Sequence, residues 1–259
     1  MHAWYRPTFA PEHGALLVLF GSLLSGAALA QSWTNDTTWA CVCAGCALQA
    51  EHPLIVQLKQ RRSWKPRYLV WASIYGGSSL LVALYLAQQN PILIWLYLCG
   101  AIALILDAIA VLNHQQKSIA NELVMFAAIC LSTLLTYGAT AGTLTPQAWG
   151  LWILNTLFYA SAIFTIKLRK TKTSNLKPSF IFLSIAILIT LGLFYSEWLL
   201  PLTALTFTVA LLKFAVVIWQ RDWYTQCRFE HIARFETYFT VVYVCLVALT
   251  VLPPTLPST

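Results

Sequence analysis

Residues 58–67 read Leu-Lys-Gln-Arg-Arg-Ser-Trp-Lys-Pro-Arg, and this stretch decides the fold. It holds five cations in a chain that is 59% hydrophobic and 10% charged, and an apolar run long enough to cross a bilayer lies on either side of it. A Lys or Arg at mid-membrane costs about 2.5–3.5 kcal/mol on insertion scales, so the stretch must lie in water. Because cytoplasmic loops carry an excess of Lys and Arg, it predicts a cytoplasmic loop between two transmembrane helices.

The composition of the whole chain also predicts an integral membrane protein. A soluble domain carries about 25% charged residues, whereas this chain of 259 residues carries 10% and has apolar runs throughout. Its net charge of +7 comes from cations beside those runs, which indicates orientation and disfavours nucleic-acid binding. We expect a single transmembrane helical domain over residues 1–259, surrounded by membrane lipid. The sequence predicts neither a cofactor nor an oligomeric state.

A transmembrane helix needs about 20 mainly apolar residues, and this length divides the chain into nine runs. We therefore predict an all-α polytopic membrane protein with nine transmembrane helices. The predicted spans are Gly14–Gln31, Thr38–Val56, Tyr68–Ala87, Pro91–Leu112, Ile119–Thr140, Ala148–Ile166, Ser179–Tyr195, Trp198–Trp219 and Phe235–Leu252. The second is the least regular, because Glu51, His52 and Pro53 interrupt its end. The first resembles a signal peptide ending in Ala28-Leu29-Ala30, but the poorly basic segment before it favours a retained span.

The distribution of the cations tests this count. Fifteen of the sixteen Lys and Arg residues fall before the first span or after the second, fourth, sixth and eighth spans. The alternate loops and the C-terminal tail hold none, and one miscounted span would destroy this alternation. The positive-inside rule therefore predicts a cytoplasmic N-terminus and an external C-terminus.

Two charged residues lie well inside predicted spans rather than near their ends, where such residues are rare and usually functional or paired. Asp107 in the fourth span and Lys213 in the eighth each lie roughly 10 Å from the cytoplasmic ends of their helices. They could pair with each other, although the sequence does not show that these helices touch. In contrast, the outer half shows almost no polar residues beyond Asp36 and Glu197, which disfavours a transport pathway.

Further polar residues gather at the same predicted surface, and we expect them to share one cytoplasm-facing cavity with apolar walls above it. The residues expected to line this cavity are Glu12, His13, Asp107, Asn113, Glu122, Lys213, His231 and Arg234. The simpler alternative is that these groups snorkel to water or form ion pairs at helix ends. We expect no metal site, since the closely spaced Cys41, Cys43 and Cys46 lack a second Cys pair at metal-site spacing.

Three segments resemble the YwiC-like family of bacterial membrane proteins. They are the Pro-Glu-His-Gly-Ala sequence of residues 11–15, the polar entry to the fifth span at residues 113–122, and residues 158–164 before the cations Lys167 and Arg169. The resemblance extends over most of the chain and implies a multi-pass protein of the bacterial cytoplasmic (inner) membrane. It implies no established biochemical activity.

A more distant likeness is to the UbiA-type intramembrane prenyltransferases, which also have nine helices and a cytoplasm-facing cavity. Their Asp-rich motifs hold Mg²⁺ and a prenyl diphosphate, but the corresponding regions here carry Lys and Arg and no Asp. Cations can hold a phosphate or a lipid headgroup directly, although a topology signal explains them equally well.

This likeness suggests an enzyme or binder of an isoprenoid or other lipid with an anionic head. In that hypothesis Asp107, Glu122 and His231 handle protons as catalytic groups. The basic loops bind the anionic head through Arg61, Arg62, Lys167 and Arg169, while Glu12, His13, Asn113, Lys213 and Arg234 bind the rest of the substrate. The alternative hypothesis is a non-enzymatic membrane carrier or assembly factor, whose buried charges line a path or pair for structure.

The predicted topology can be tested with a reporter that is active only outside the cytoplasm. A fusion after Thr259 should be active, because the ninth span ends outside, and a fusion at Ser174 should be silent, because the loop after the sixth span is basic. The opposite result at either position would contradict the nine-helix count.

Overall fold

The computed structural model describes residues 7–9, 13–60, 63–169 and 175–252, apart from the side chain of His13. Every regular element in these ranges is an α-helix. The helices are α1 His13–Ala30, α2 Asn35–Lys59, α3 Pro66–Gln89, α4 Leu93–Leu112, α5 Ile119–Ala141, α6 Pro146–Lys167, α7 Lys177–Tyr195, α8 Pro201–Leu205, α9 Thr208–Trp219, α10 Arg221–Gln226 and α11 Phe229–Val251.

The helices follow the nine predicted spans in order, and the prediction of an all-α polytopic membrane protein is confirmed. In the described part of the chain, eight helical segments are long and apolar enough to cross a membrane, and α1 is a shorter apolar helix. The eighth span combines α8 and α9, and the ninth span is α11. Two predicted spans were too short. Helix α2 continues through Pro53 to Lys59, and α11 begins at Phe229 rather than Phe235.

Hydroxyl side chains begin three of these helices by accepting otherwise unpaired backbone N–H groups. At the start of α2, Thr34 accepts from the Thr37 N–H while the Thr37 hydroxyl accepts from the Thr34 N–H, which forms a capping box. Ser118 accepts from the Asn121 N–H at the start of α5, and Thr145 caps α6. Each cap lies between a loop and an apolar run, so the helix boundaries are encoded locally.

The eighth span is interrupted by a tight turn between α8 and α9. Thr206 and Phe207 at the break are 4% and 3% exposed, respectively. The backbone continues there through bonds of i→i−3 type, such as the Val209 N–H to the Thr206 carbonyl at 3.1 Å. Because these bonds satisfy the polar backbone groups, a discontinuous span can lie inside the membrane.

Helices α1 and α5 pack closely because small residues face each other. A Cβ atom built on Gly26 would overlap the Thr133 carbonyl oxygen and the Thr136 hydroxyl. The Thr136 hydroxyl also donates to the Leu23 carbonyl across the interface at 3.2 Å. Small residues allow such close backbone approach between helices in membranes, so α1 is an integral part of the bundle.

Helix α6 lies at the centre of the bundle. Over its most apolar window 56% of the residues are buried, against 17% for α3 and α11. The peripheral helices expose large apolar side chains, such as Leu81 and Trp95 at 70% and Leu188 at 68%. This surface faces lipid in a membrane, so the buried polar groups concentrate around α6.

We call one end of the bundle the basic end, where α2, α4, α6 and α9 end and α3, α5, α7 and α11 begin. There the Lys167 ammonium donates to the Lys117 carbonyl at 3.1 Å, which joins α6 to the loop before α5. The Arg169 guanidinium donates to the Cys227 carbonyl at 2.6 Å, which joins it to the segment before α11. The loop cations predicted to face the cytoplasm therefore meet at this end.

The opposite, neutral end is held by side-chain amides. The Asn90 amide donates to the Gly138 carbonyl at 2.8 Å and connects the α3–α4 turn to α5. The Gln31 amide donates to the Val251 carbonyl at 3.3 Å and connects the end of α1 to the end of α11. These contacts confirm that successive spans alternate in direction.

The contact between α1 and α5 can be tested by Gly26→Ala. The added methyl group must displace backbone, so we expect a loss of about 1–3 kcal/mol of stability and a lower thermal unfolding midpoint in detergent. Gly192→Ala in α7 is the matched control, because a Cβ atom there meets nothing within 4 Å. Equal midpoints for the two variants would contradict the close approach of α1 and α5.

Candidate functional site

Lys213 is the most deeply buried cation in the described part of the chain. It lies on α9, six residues before this helix ends at Trp219, which places it roughly 10 Å from the basic end. The residue is 1% exposed. An ammonium group inside a membrane bundle is stable only when charged or polar groups meet it, so its neighbours define the site.

The ammonium of Lys213 pairs with the carboxylate of Glu236 on α11, and the Nζ–Oε2 distance is 2.9 Å. We call these two residues the Lys213–Glu236 couple. The other carboxylate oxygen, Oε1, accepts from the Thr165 hydroxyl on α6 at 3.0 Å and from the Tyr224 hydroxyl on α10 at 3.5 Å. Lys213 therefore has an acidic partner, as expected of an ionisable residue inside a span, and this partner is Glu236.

Tyr224 contributes a neutral donor to this group. It is 1% exposed, and burial raises the pKa of its phenol above the ordinary value, with a further increase from the nearby Glu236 carboxylate. The phenol therefore stays protonated near neutral pH and can donate to Glu236. Together the couple, Thr165 and Tyr224 connect four helices at the basic end.

A narrow cleft lies on the ammonium side of the couple, between α6, α7 and α9. In this conformation it leaves no room for the centre of a water molecule. The lining residues are Ser161, Phe164, Thr165, Ser179, Phe182, Leu183, Ala210, Lys213 and Phe214. Glu236 does not line the cleft, so the charge facing it is positive.

Aromatic rings connect the couple to the centre of the bundle. The Lys213 ammonium lies 5.3 Å from the centroid of the Phe158 ring, within the range of a cation–π contact. Phe158 stacks on Tyr243 with ring centroids 3.6 Å apart. The Tyr243 hydroxyl then donates to the side-chain carbonyl of Asn155 at 2.8 Å. Apolar ring faces therefore separate the couple from a second polar group deeper in the membrane.

From Asn155, polar side chains continue to the neutral end. The Asn155 amide donates to the Thr133 hydroxyl at 2.9 Å, and the Thr140 hydroxyl donates to the Thr136 carbonyl at 2.7 Å. Thr140 also shares a hydroxyl hydrogen bond with Thr37 on α2. We call this series the polar seam, and its members are Tyr243, Asn155, Thr133, Thr136, Thr140 and Thr37.

The polar seam corrects the expectation that the outer half is almost without polar residues. Sequence reasoning counted ionisable groups there and missed the hydroxyls. Thr133, Thr136 and Thr140 follow each other at spacings of three and four residues, which places them on one face of α5. That spacing was the available signal for the seam.

The sequence allowed an ion pair between Asp107 and Lys213, but the structure does not form it. It is 2% exposed, and its Oδ1 accepts from the Asn121 amide on α5 at 2.7 Å. Its Oδ2 has no hydrogen-bond partner among the described residues. The carboxyl group therefore belongs to a separate contact between α4 and α5, where Asn121 also donates to the Gln116 carbonyl at 3.1 Å.

Glu122 and Lys167, predicted as a catalytic group and a headgroup ligand, form an ion pair with each other. Their side chains are 31% and 16% exposed, so this pair lies nearer to water than the Lys213–Glu236 couple. The pairing of Glu122 with a cation from α6 agrees with the simpler prediction of ion pairs at helix ends.

The remaining predicted site residues lie apart from the cleft. Asn113, His231 and Arg234 are exposed, while Arg169 is half-buried and lies 5.9 Å from the centroid of the Phe229 ring. The side chains of Glu12, His13, Arg61 and Arg62 lie outside the described part of the chain.

The six predicted cavity residues whose side chains the structure describes do not share one cavity. Of those with described side chains, only Lys213 lines the cleft, whereas Asp107 and Glu122 have partners elsewhere. The prediction failed because helices that carry polar groups at similar depth can satisfy them in separate pairwise contacts. The chemical roles assigned to these residues from the sequence stay predictions.

The helical bundle and its buried ion pair define a multi-pass membrane protein with a charged group inside the membrane. The family model described as YwiC-like protein matches residues 9–137, and over this part the chain belongs to the YwiC-like family. The match is shorter than the resemblance predicted from the sequence, since residues 158–164 fall outside it. No curated protein and no solved structure matches the chain.

A double-mutant cycle tests the Lys213–Glu236 couple. Removal of one partner leaves an uncompensated buried charge, so Lys213→Leu and Glu236→Leu should each cost about 3–5 kcal/mol of stability. The double Leu variant should recover much of this loss, because two apolar side chains replace two charges. Thermal and denaturant unfolding in detergent measure the four proteins.

Lys167→Leu is the matched control for this cycle. Its ion pair is more exposed, so its contribution should be near the range of about 0–1 kcal/mol that is typical of surface pairs. Additive losses for Lys213→Leu and Glu236→Leu would contradict a direct interaction between these two residues.

Proposed function

We propose that this protein is a non-enzymatic membrane carrier of a small polar solute, with the Lys213–Glu236 couple as its binding element. The observation that carries the proposal is a buried ion pair in the eighth and ninth spans. Ionisable residues inside membrane bundles commonly mark substrate or ion pathways. The couple lies near the basic end of the bundle, and the half toward the neutral end contains the polar seam.

The interrupted eighth span supports a carrier. Transporter binding sites are often built near discontinuous helices, whose unwound backbone and helix ends coordinate the substrate. Lys213 lies on α9, the segment that follows the break at Thr206 and Phe207. A small movement of α9 relative to α8 would therefore change the position of the ammonium.

The geometry is less favourable for the alternative of a UbiA-like enzyme or binder of an isoprenoid or other lipid with an anionic head. Such a substrate needs a cavity with a polar end and long apolar walls. The cleft beside Lys213 is too narrow to admit a water molecule, so it offers no long apolar cavity. The predicted proton-handling residues Asp107, Glu122 and His231 also lie away from it, so a small solute is the better match.

Transport in proteoliposomes tests the proposal. The purified protein is reconstituted and loaded in turn with glucose, lysine, succinate and inorganic phosphate, and flux is measured by efflux of labelled solute. We expect wild-type protein to carry at least one of these classes and the folded double variant Lys213→Leu/Glu236→Leu to carry none, because the binding charges are gone. The double variant Lys167→Leu/Glu122→Leu is the matched control and should retain flux.

Equal flux for wild type and the Lys213→Leu/Glu236→Leu variant would contradict a carrier that works through this couple. Wild-type protein that moves none of the four solutes would contradict the carrier proposal for these classes of solute.

A further inference from the structure

We infer that the cleft beside Lys213 is a binding site for a small oxyanion, a carboxylate or a phosphate, which enters together with a proton. This inference rests on the proposed carrier function and names the class of its solute. The donors of the site are the Lys213 ammonium and the Ser179 hydroxyl. Ser161 and Thr165 also line the cleft, but their hydroxyls already donate to the Phe158 carbonyl and to Glu236, respectively.

The first support is the unused hydrogen-bonding capacity of Lys213. Its ammonium has three N–H groups, and within the described residues the one carboxylate that accepts from it is that of Glu236. The residue is 1% exposed, so water cannot reach the other two N–H groups freely. Buried donors without acceptors are costly, and ligand oxygens in the cleft would satisfy them.

The second support is Ser179, which lines the cleft from α7. The residue is 2% exposed, and no residue within the described ranges forms a hydrogen bond with its hydroxyl. Ser161 and Thr165 line the opposite wall from α6. Lys213 and Ser179 line the same cleft, so their ammonium and hydroxyl can form a donor pair for an anion with more than one oxygen.

The charge on the lining favours an anion over a cation. No carboxylate is among the described residues that line the cleft, and Lys213 is the one charged residue there. Glu236 is not among the lining residues, and its oxygens already accept from Lys213, Thr165 and Tyr224. A cation would therefore meet an ammonium and aromatic rings, whereas an anion would meet hydrogen-bond donors.

Charge balance explains why a proton must accompany the anion. When the anion binds Lys213, the buried site holds two negative groups and one positive group, and an unpaired buried charge is costly. A proton taken up by Glu236 restores neutrality: the carboxylate becomes a carboxylic acid, and the anion replaces it as the counter-ion of Lys213. The groups that face Glu236 from the other helices are Lys213, Tyr224 and Thr165, and Lys213 is the one cation among them.

The size of the cleft limits the ligand. It has no room for a water molecule in this conformation, so α7 and α9 must separate before a phosphate or a short carboxylate can enter, and the smallest anions require the least separation. The apolar walls formed by Phe164, Phe182 and Phe214 exclude water from the bound anion. Electrostatic attraction to Lys213 is stronger in such a dry environment.

Equilibrium binding of radiolabelled inorganic phosphate and acetate tests the site. The full-length protein is placed in nanodiscs of phosphatidylcholine, which has no net charge. We expect saturable binding of at least one anion, and about tenfold or weaker affinity in Ser179→Ala, because a hydrogen bond to a charged ligand is lost. Ser184→Ala is the matched control, since Ser184 is exposed on the same helix and should bind as wild type does.

A second measurement follows the proton. In weakly buffered solution with a pH indicator, binding should remove about one proton per anion from the solvent, as the charge balance requires. Lys213→Met should abolish both anion binding and proton uptake. Ser179→Ala keeps the test valid if Lys213→Met does not fold, because the Ser179 hydroxyl has no described partner to lose.

Nanodiscs that contain phosphatidylglycerol distinguish a free anion from a lipid headgroup. Retention of this lipid in native mass spectrometry, with loss in Ser179→Ala, would support the oxyanion site and assign it to a headgroup. Binding of phosphate or acetate that this lipid does not displace would assign it to a free solute. Binding of no anion of any kind, or equal binding by Ser179→Ala and wild type, would overturn the inference.

The carrier proposal and the anion inference can fail separately. Flux of glucose or lysine that depends on the Lys213–Glu236 couple, without anion binding, would retain the carrier and reject the anion site. Anion binding in nanodiscs without flux in proteoliposomes would retain the site and reject the carrier.

Discussion

One ion pair inside an apolar bundle organises the basic end of this protein. Lys213 and Glu236 approach to 2.9 Å, and neither charge would be stable at that depth without the other. Their helices, α9 and α11, are held in register by this contact, while Thr165 from α6 and Tyr224 from α10 occupy the remaining carboxylate oxygen. Because both charges lose their hydration, a buried pair of this kind adds little net stability compared with two well-packed apolar side chains.

The rest of the bundle supports this contact from the centre outward. Helix α6 is the most buried span and contributes to three layers: Thr165 beside the couple, Phe158 below the ammonium, and Asn155 in the polar seam. Close packing of α1 on α5 at Gly26 brings the hydroxyls of α5 toward the same axis. Polar groups therefore extend from the couple to Thr37 at the neutral end, although apolar rings separate the two parts.

The sequence predicted the helices well because a membrane imposes a simple length and charge pattern. It also predicted that Lys213 is buried. It did not identify Glu236 as the partner, because hydropathy placed the start of the ninth span at Phe235. The structure starts α11 at Phe229, since backbone hydrogen bonds continue through polar residues, and Glu236 lies two turns inside the helix. Which helix faces meet depends on long-range packing, so the separate environment of Asp107 was also beyond a single sequence.

The most direct test of this account is a distance measurement by solid-state NMR in lipid bilayers. Isotope-labelled lysine ammonium and glutamate carboxylate groups are compared in a Lys167→Gln background, which removes the Glu122 ion pair, with and without Lys213→Met. The account predicts a strong nitrogen–carbon coupling, in agreement with the 2.9 Å contact, that disappears in Lys213→Met. A Lys213 ammonium without a nearby glutamate carboxylate would contradict it.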